Sequence, residues 1–269
     1  MKLSLTFSQR IVLLFLLFVV GIVLTAAFQL LAGRLTENVT AATRIVYVVQ
    51  DLLAFILPAL VTAILITRLP ADFLRLRRAP RLPMLLTAMA TTIAIQPAIG
   101  QINDLCEMLP WPDSIIQLEA SLEAATSAIT GPHDAANLLV SILIVALLTG
   151  LAEELFFRGA LQRLFETRPM SIHAAVWLTA FMFALMHFQP VGALPRMLLG
   201  ALFGYAAVWS GSLWTAVACH ALNNAMAVYT LWAGVNIEST PAPALASALL
   251  ASAGIYMMMR QSQSRSSGI

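Results

Sequence analysis

Glu153 and Glu154 stand side by side just after an almost wholly apolar run, Ala135 to Gly150, and Arg158 follows one helical turn later. An ionisable side chain in or beside hydrocarbon costs about 2.5–3.5 kcal/mol on insertion scales, so such residues mark functional positions by default. Two further polar groups interrupt apolar segments downstream: His187 in Phe-Ala-Leu-Met-His, and His220, Asn223 and Asn224 in Cys-His-Ala-Leu-Asn-Asn. Helical spacing sorts them. Residues four apart share a face and adjacent residues point about 100° apart. Glu154 and Arg158 therefore pair on one face, and Glu153 is left free on another. His220 shares a face with Asn224, while Asn223 is less well placed. Phe183 walls the side on which His187 sits.

These residue types make a coherent chemistry. A partly desolvated carboxylate is a competent general base toward water. Two imidazoles and an amide can hold a water or a developing oxyanion. Together they are the parts needed to hydrolyse an amide bond without a covalent nucleophile. The serine and zincin routes lack their motifs: there is no Gly-x-Ser-x-Gly and no His-Glu-x-x-His. His173, near a helix start, and His133, in a Gly-Pro-His turn, read as structural. Cys106 and Cys219 read as two unpaired thiols, without a metal-binding Cys-x-x-Cys.

The elements that must position these groups follow from composition. The chain is 60% hydrophobic and 10% charged, with mean hydropathy +0.86, against about a quarter charged residues in soluble domains. This is an all-α, polytopic membrane protein. Its net charge of +2 is uninformative about nucleic acid, and with no basic tract interleaved with aromatics a nucleic-acid partner is not expected. About 20 apolar residues cross a bilayer. That length gives eight expected spans, at 11–32, 45–66, 83–103, 135–157, 172–188, 194–209, 213–233 and 242–259. The first is too long for a signal-peptide core and is read as a retained helix.

Arginines cluster in 68–81 (Arg68, Arg75, Arg77, Arg78, Arg81), between the fourth and fifth spans (Arg158, Arg163, Arg168) and after the last (Arg260, Arg265). Segment 104–134 carries Asp104, Glu107, Asp113, Glu119, Glu123 and Asp134 and no Lys or Arg. The positive-inside rule then puts both termini in the cytoplasm and 104–134 outside. Within that outer segment, Ile115 to Ile129 suits a short interfacial helix. One domain results, in three parts. Residues 1–134 hold the N-terminal helices and outer loop, 135–235 the helical core with the motifs, and 236–269 the last helix and a tail whose Ser-rich stretch 262–267 is expected to be disordered. Gly200 and Gly204 form a Gly-x-x-x-Gly that lets another helix approach closely. Drawn this way, Glu153 and His187 fall near opposite membrane faces, roughly 20 Å apart. Sharing a water requires a deeper Glu153, or a buried segment 159–172, for which Leu161, Leu164 and Phe165 are suited.

Glu-Glu-x-x-x-Arg (Glu153, Glu154, Arg158), Phe-x-x-x-His (Phe183, His187) and His-x-x-x-Asn (His220, Asn224) occur in that order on separate apolar segments. In this the chain resembles the CPBP family of intramembrane proteases (CAAX protease and bacteriocin-processing), which includes the Rce1-type type II CAAX prenyl endopeptidases. The resemblance covers about residues 135–235. It implies that Glu153 activates the attacking water with His187 and His220 holding it. Asn224 would stabilise the oxyanion with His220, Glu154 would support the site, and Arg158 would orient the glutamates. It leaves open a metal-free site or a metalloprotease with Zn2+ on Glu153, His187 and His220, a two-His, one-carboxylate set that suits zinc. The implied partners are the lipid bilayer and a peptide or protein substrate, prenylated in part of the family; the compact Ala/Leu-rich chain suggests a bacterial plasma membrane as its location. The competing expectation is a non-enzymatic membrane protein, either a transporter whose buried carboxylates relay protons or a bacteriocin-immunity partner.

Overall fold

The computed structural model describes residues 3–167, 170–235 and 240–266. Its regular structure among them is helical: α1 (Phe7–Leu35), α2 (Val39–Ile66), α3 (Leu82–Glu107), α4 (Asp113–Thr130), α5 (Ala135–Glu166), α6 (Ile172–Leu185), α7 (Ala193–Ser210), α8 (Leu213–Ala233) and α9 (Pro241–Ser266), with a helical turn at Pro70–Phe73. Local chemistry sets the boundaries. Thr6 and Gln9 form a reciprocal capping box at the start of α1. Asn38, Asp134 and Ser171 each accept a backbone N–H at the start of α2, α5 and α6. α7 and α8 end on Gly211 and Gly234, both with left-handed backbone.

Five helices are long and apolar enough to cross a membrane: α1, α2, α3, α5 and α9. The other three expected spans coincide with α6, α7 and α8. α6 has only 14 residues, and α7 and α8 carry Arg196, His220, Asn223 and Asn224, which lower their apolar content. Each packs one face on the bundle, while α6 leaves Trp177, Leu178, Phe181 and Leu185 exposed on its other face. α6 and α7 form a hairpin, and α8 touches α3, α4, α5 and α7. α1 and α2 cover one flank and α9 lies along α3. Between apolar helices in lipid the hydrophobic effect supplies little, so close packing holds the bundle. A run of rings does this at its centre: Phe18 on Phe55 (5.6 Å between centroids), Phe55 on Phe156 (5.7 Å), Phe156 on Phe157 (5.1 Å) and Phe157 on Phe183 (5.1 Å).

Two sequence expectations are corrected. The helix carrying the glutamates does not stop at 157 but continues to Glu166, about 48 Å in all at ~1.5 Å per residue. Arg158 is consequently no loop arginine: it is fully buried within α5. The helix can run on because Arg158 finds its counter-charge inside it, and because Leu161, Leu164 and Phe165 bury against the core. The stretch 262–266 continues α9 as helix instead of lying disordered, with Gln261 Nε2 donating to Thr87 Oγ1; residue 267 and Arg168 lie outside the described residues.

Helical irregularities gather beside the site. α2 contains a π-helical turn at Asp51–Ile56, just before Pro58, which has no N–H to give the helix. α5 contains two, Ile142–Leu148 and Leu155–Leu161, one on either side of the glutamates.

Candidate active site

Glu153 and Glu154 lie near the middle of α5, and their side chains part as adjacent helical positions must. Glu154 is fully buried and its Oε1 accepts from Arg158 Nη1 at 2.5 Å. Arg158, equally buried, also donates from Nη2 to the Gly200 carbonyl at 2.8 Å. Its guanidinium lies 4.7 Å from the Phe183 ring centre and within 6 Å of Phe157 and Phe203. The Gly-x-x-x-Gly of α7 makes this possible. A Cβ on Gly200 would stand 3.1 Å from Phe183 and 3.3 Å from Arg158. One turn on, Gly204 presents its carbonyl to Gln162, four residues after Arg158. The motif thus seats the polar stripe of α5 as well as permitting close packing.

α8 brings the histidine. His220 Nδ1 lies 2.8 Å from Glu154 Oε1, and its Nε2 lies 3.6 Å from Glu153 Oε2. A carboxylate oxygen can only accept, so Nδ1 carries the hydrogen and Nε2 of the neutral ring presents a lone pair toward Glu153. Phe203 stacks on the imidazole at 5.1 Å and 23°, fixing its plane. The close approach of α5 and α8 depends on Gly150, whose Cβ position is 3.3 Å from the Ala221 backbone. His187, just beyond α6, bonds through Nδ1 to the Phe183 carbonyl at 2.8 Å. The same logic leaves its Nε2 as an acceptor. Asn224 donates from Nδ2 to the Val145 carbonyl at 3.1 Å, in the first π-helical turn of α5. Asn223 donates to Asn224 Oδ1 and accepts from Gln96 of α3.

Glu153, His187, His220 and Asn224 all line one cavity of about 940 Å³. Glu153 is 13% exposed there, whereas Glu154 is sealed off. The helical-face reading of the sequence therefore matches the geometry: Glu154 belongs to Arg158 and Glu153 faces the open space. His133 packs on Trp232 at 4.2 Å and His173 bonds to the Tyr205 hydroxyl at 2.7 Å, both outside the cavity wall. The nitrogen and oxygen types of Glu153, His187 and His220 suit zinc. As the side chains stand, however, no three His, Cys, Asp or Glu residues among those described come close enough to hold one ion.

The sequence reading missed Asp51. This residue sits in the π-helical turn of α2, fully buried, and accepts from Thr149 Oγ1 at 2.7 Å. Its other oxygen has no hydrogen-bond partner. Thr149 lies one turn before Glu153 and lines the same cavity. An aspartate inside an apolar stretch was the available signal.

Residues 135–226 match the family described as type II CAAX prenyl endopeptidase Rce1-like. Every motif residue from Glu153 to Asn224 falls within that match. No curated protein and no solved structure matches the chain.

Proposed function

We propose, from the match of residues 135–226 to the Rce1-like type II CAAX prenyl endopeptidases, that this integral membrane protein cleaves peptide bonds with a water activated by Glu153. The observation that carries the reading is the position of His220, whose two nitrogens face the two glutamates at 2.8 and 3.6 Å. Glu153 takes a proton as the water oxygen attacks the scissile carbonyl. The Nε2 lone pairs of His187 and His220 accept from that water and aim it. Asn224 uses one amide hydrogen on Val145 and offers the other to the tetrahedral oxyanion. When the C–N bond breaks, the proton held by Glu153 passes to the leaving amine. The second proton of the water, shed as the product carboxylate forms, rests on His220 Nε2, 3.6 Å from Glu153. Glu154, itself neutralised by Arg158, favours the imidazolium that forms. No step requires a metal.

Both termini are proposed to be cytoplasmic, from the arginine distribution, in a bacterial plasma membrane. Cleavage of a peptide library in liposomes tests the mechanism. Glu153→Gln loses at least about 10²-fold in turnover, the scale of one general base, with an unchanged melting temperature, and a chelator leaves the wild type active. Normal cleavage by Glu153→Gln would sink the proposal.

A further inference from the structure

The two ends of the bundle differ sharply in charge. At one end, Arg75 and Arg163 both pair with Glu166, Arg163 Nε donates to the Phe73 carbonyl, and the start of α8 bonds to the backbone of Arg75 and Arg78. This ties the arginine-rich loop 67–81 to the end of α5 and the beginning of α8. The end of α9, with Arg260, joins them through Gln261 and Thr87. The opposite end holds the end of α3, all of α4 and the start of α5. It carries Asp104, Glu107, Asp113, Glu119, Glu123 and Asp134, with Arg34 and Arg44 at the nearby ends of α1 and α2. Arg44 is consumed there, donating to the Ile129 and Thr130 carbonyls and to Asn137 and Ser141.

The cavity lies in the acidic half. Its deep wall is Glu153, His187, His220 and Asn224. Its outer wall is the end of α3 and the inner side of α4, where Glu107, Glu119 and Glu123 line it. Arg196 is the one cationic side chain on this lining, and Gln189 holds it through two bonds, at 3.3 and 2.6 Å. Glu119 accepts the Val191 N–H at 2.9 Å, tying α4 to the loop that carries His187. Nothing from loop 67–81, from Arg163 or from the start of α8 reaches the cavity.

Resting on the peptidase reading for its chemistry, we infer that the active-site cavity is entered from the extracytoplasmic face and takes a peptide segment bearing positive charge. The arginine end is the cytoplasmic one by the positive-inside rule, and the exposed lining carboxylates Glu107 and Glu123 lie at the other. Four carboxylates against one held arginine give the approach a negative potential, which concentrates cationic chains in a low-dielectric cleft. A prenylated carboxyl terminus presented from the cytoplasm would meet the arginine end, away from Glu153. The fitting substrate is a Lys- or Arg-containing stretch of an exported peptide, or the outer flank of a membrane-anchored one.

Two measurements on the full-length protein decide this. In a Cys106→Ser/Cys219→Ala background, Glu123→Cys and Arg77→Cys are exposed to a membrane-impermeant maleimide in right-side-out bacterial vesicles. Labelling of Glu123→Cys from outside, with Arg77→Cys reached only after permeabilisation, is expected, and the reverse pattern overturns the inferred side. Binding of fluorescent decapeptides of charge +3, 0 and −3 to the Glu153→Gln protein is then read by anisotropy. The +3 peptide is expected to bind at least tenfold more tightly than the −3 peptide, and Glu107→Gln/Glu123→Gln to reduce that ratio several-fold. Equal binding, or preference for the anionic peptide, overturns the charge selectivity. Neither readout needs turnover. A wild type that cleaves none of the peptides would therefore remove the peptidase reading while the side and charge of the cavity are still decided.

Discussion

Nδ1 of His220 and Oε1 of Glu154 lie 2.8 Å apart across the α5–α8 interface, and Arg158 claims the same oxygen from within α5. One buried carboxylate thus sets both the tautomer of an imidazole and the place of a guanidinium. Removing Arg158 would leave that carboxylate buried without its counter-charge, which is costly, and would disturb the imidazole it holds.

Arg158→Ala is expected to destabilise the fold by about 3–5 kcal/mol, the range for breaking one side of a buried pair, and to abolish cleavage. Replacing both residues, as Glu154→Leu/Arg158→Met, should be far less damaging to stability than Arg158→Ala while leaving the protein inactive. Thermal unfolding in detergent measures this, and additive losses would show that the two residues do not act as a pair.

Asn224→Ala should lower turnover by about 10²–10³-fold, the loss typical of one oxyanion donor. KM should move far less, since the amide matters most once charge develops on the substrate oxygen. A KM rise with unchanged kcat would instead make Asn224 a ground-state binding residue.

Asp51→Asn keeps an oxygen for Thr149 and removes a carboxyl that has one unpartnered oxygen and no cation beside it. Melting temperature is expected to stay level or rise. A fall of more than about 3 °C, near 1 kcal/mol for a chain of this size, would show that the carboxylate itself is needed.

Gly200→Ala puts a methyl group against Phe183 and Arg158. Overpacking of this kind costs about 1–3 kcal/mol, and here it should also lower activity, since the guanidinium that holds Glu154 must move. A chain with a normal melting temperature and normal turnover would show that the α5–α7 contact has slack.

Much of the site was legible because membrane chains carry few polar residues. Glu153, Glu154, His187, His220 and Asn224 stood out against apolar neighbours, and 3.6-residue spacing alone assigned Glu154 to Arg158. The depth of the site was not legible. An apolar window ends at the first cluster of charges, so the fourth span was drawn to 157. Its true end lies beyond Arg158, whose charge is neutralised internally and no longer marks an aqueous boundary. The setting of α6, α7 and α8 was not legible either: hydropathy does not distinguish lipid contact from burial among other helices, and α6 has both a buried and an exposed apolar face. Asp51 escaped notice because a single acid barely lowers the apolarity of a long segment.

The burial of Arg158 among Phe157, Phe183 and Phe203 has a consequence for ionic strength. Mobile ions screen exposed charges over a Debye length of roughly 8–10 Å near physiological salt and act much less on groups enclosed by protein. The Glu154–Arg158–His220 cluster is enclosed, whereas Glu107 and Glu123 at the mouth are exposed. Added salt should therefore weaken capture of a charged chain and leave the rate of the bound complex nearly untouched, so that the entrance and the interior of one cavity answer to the medium separately.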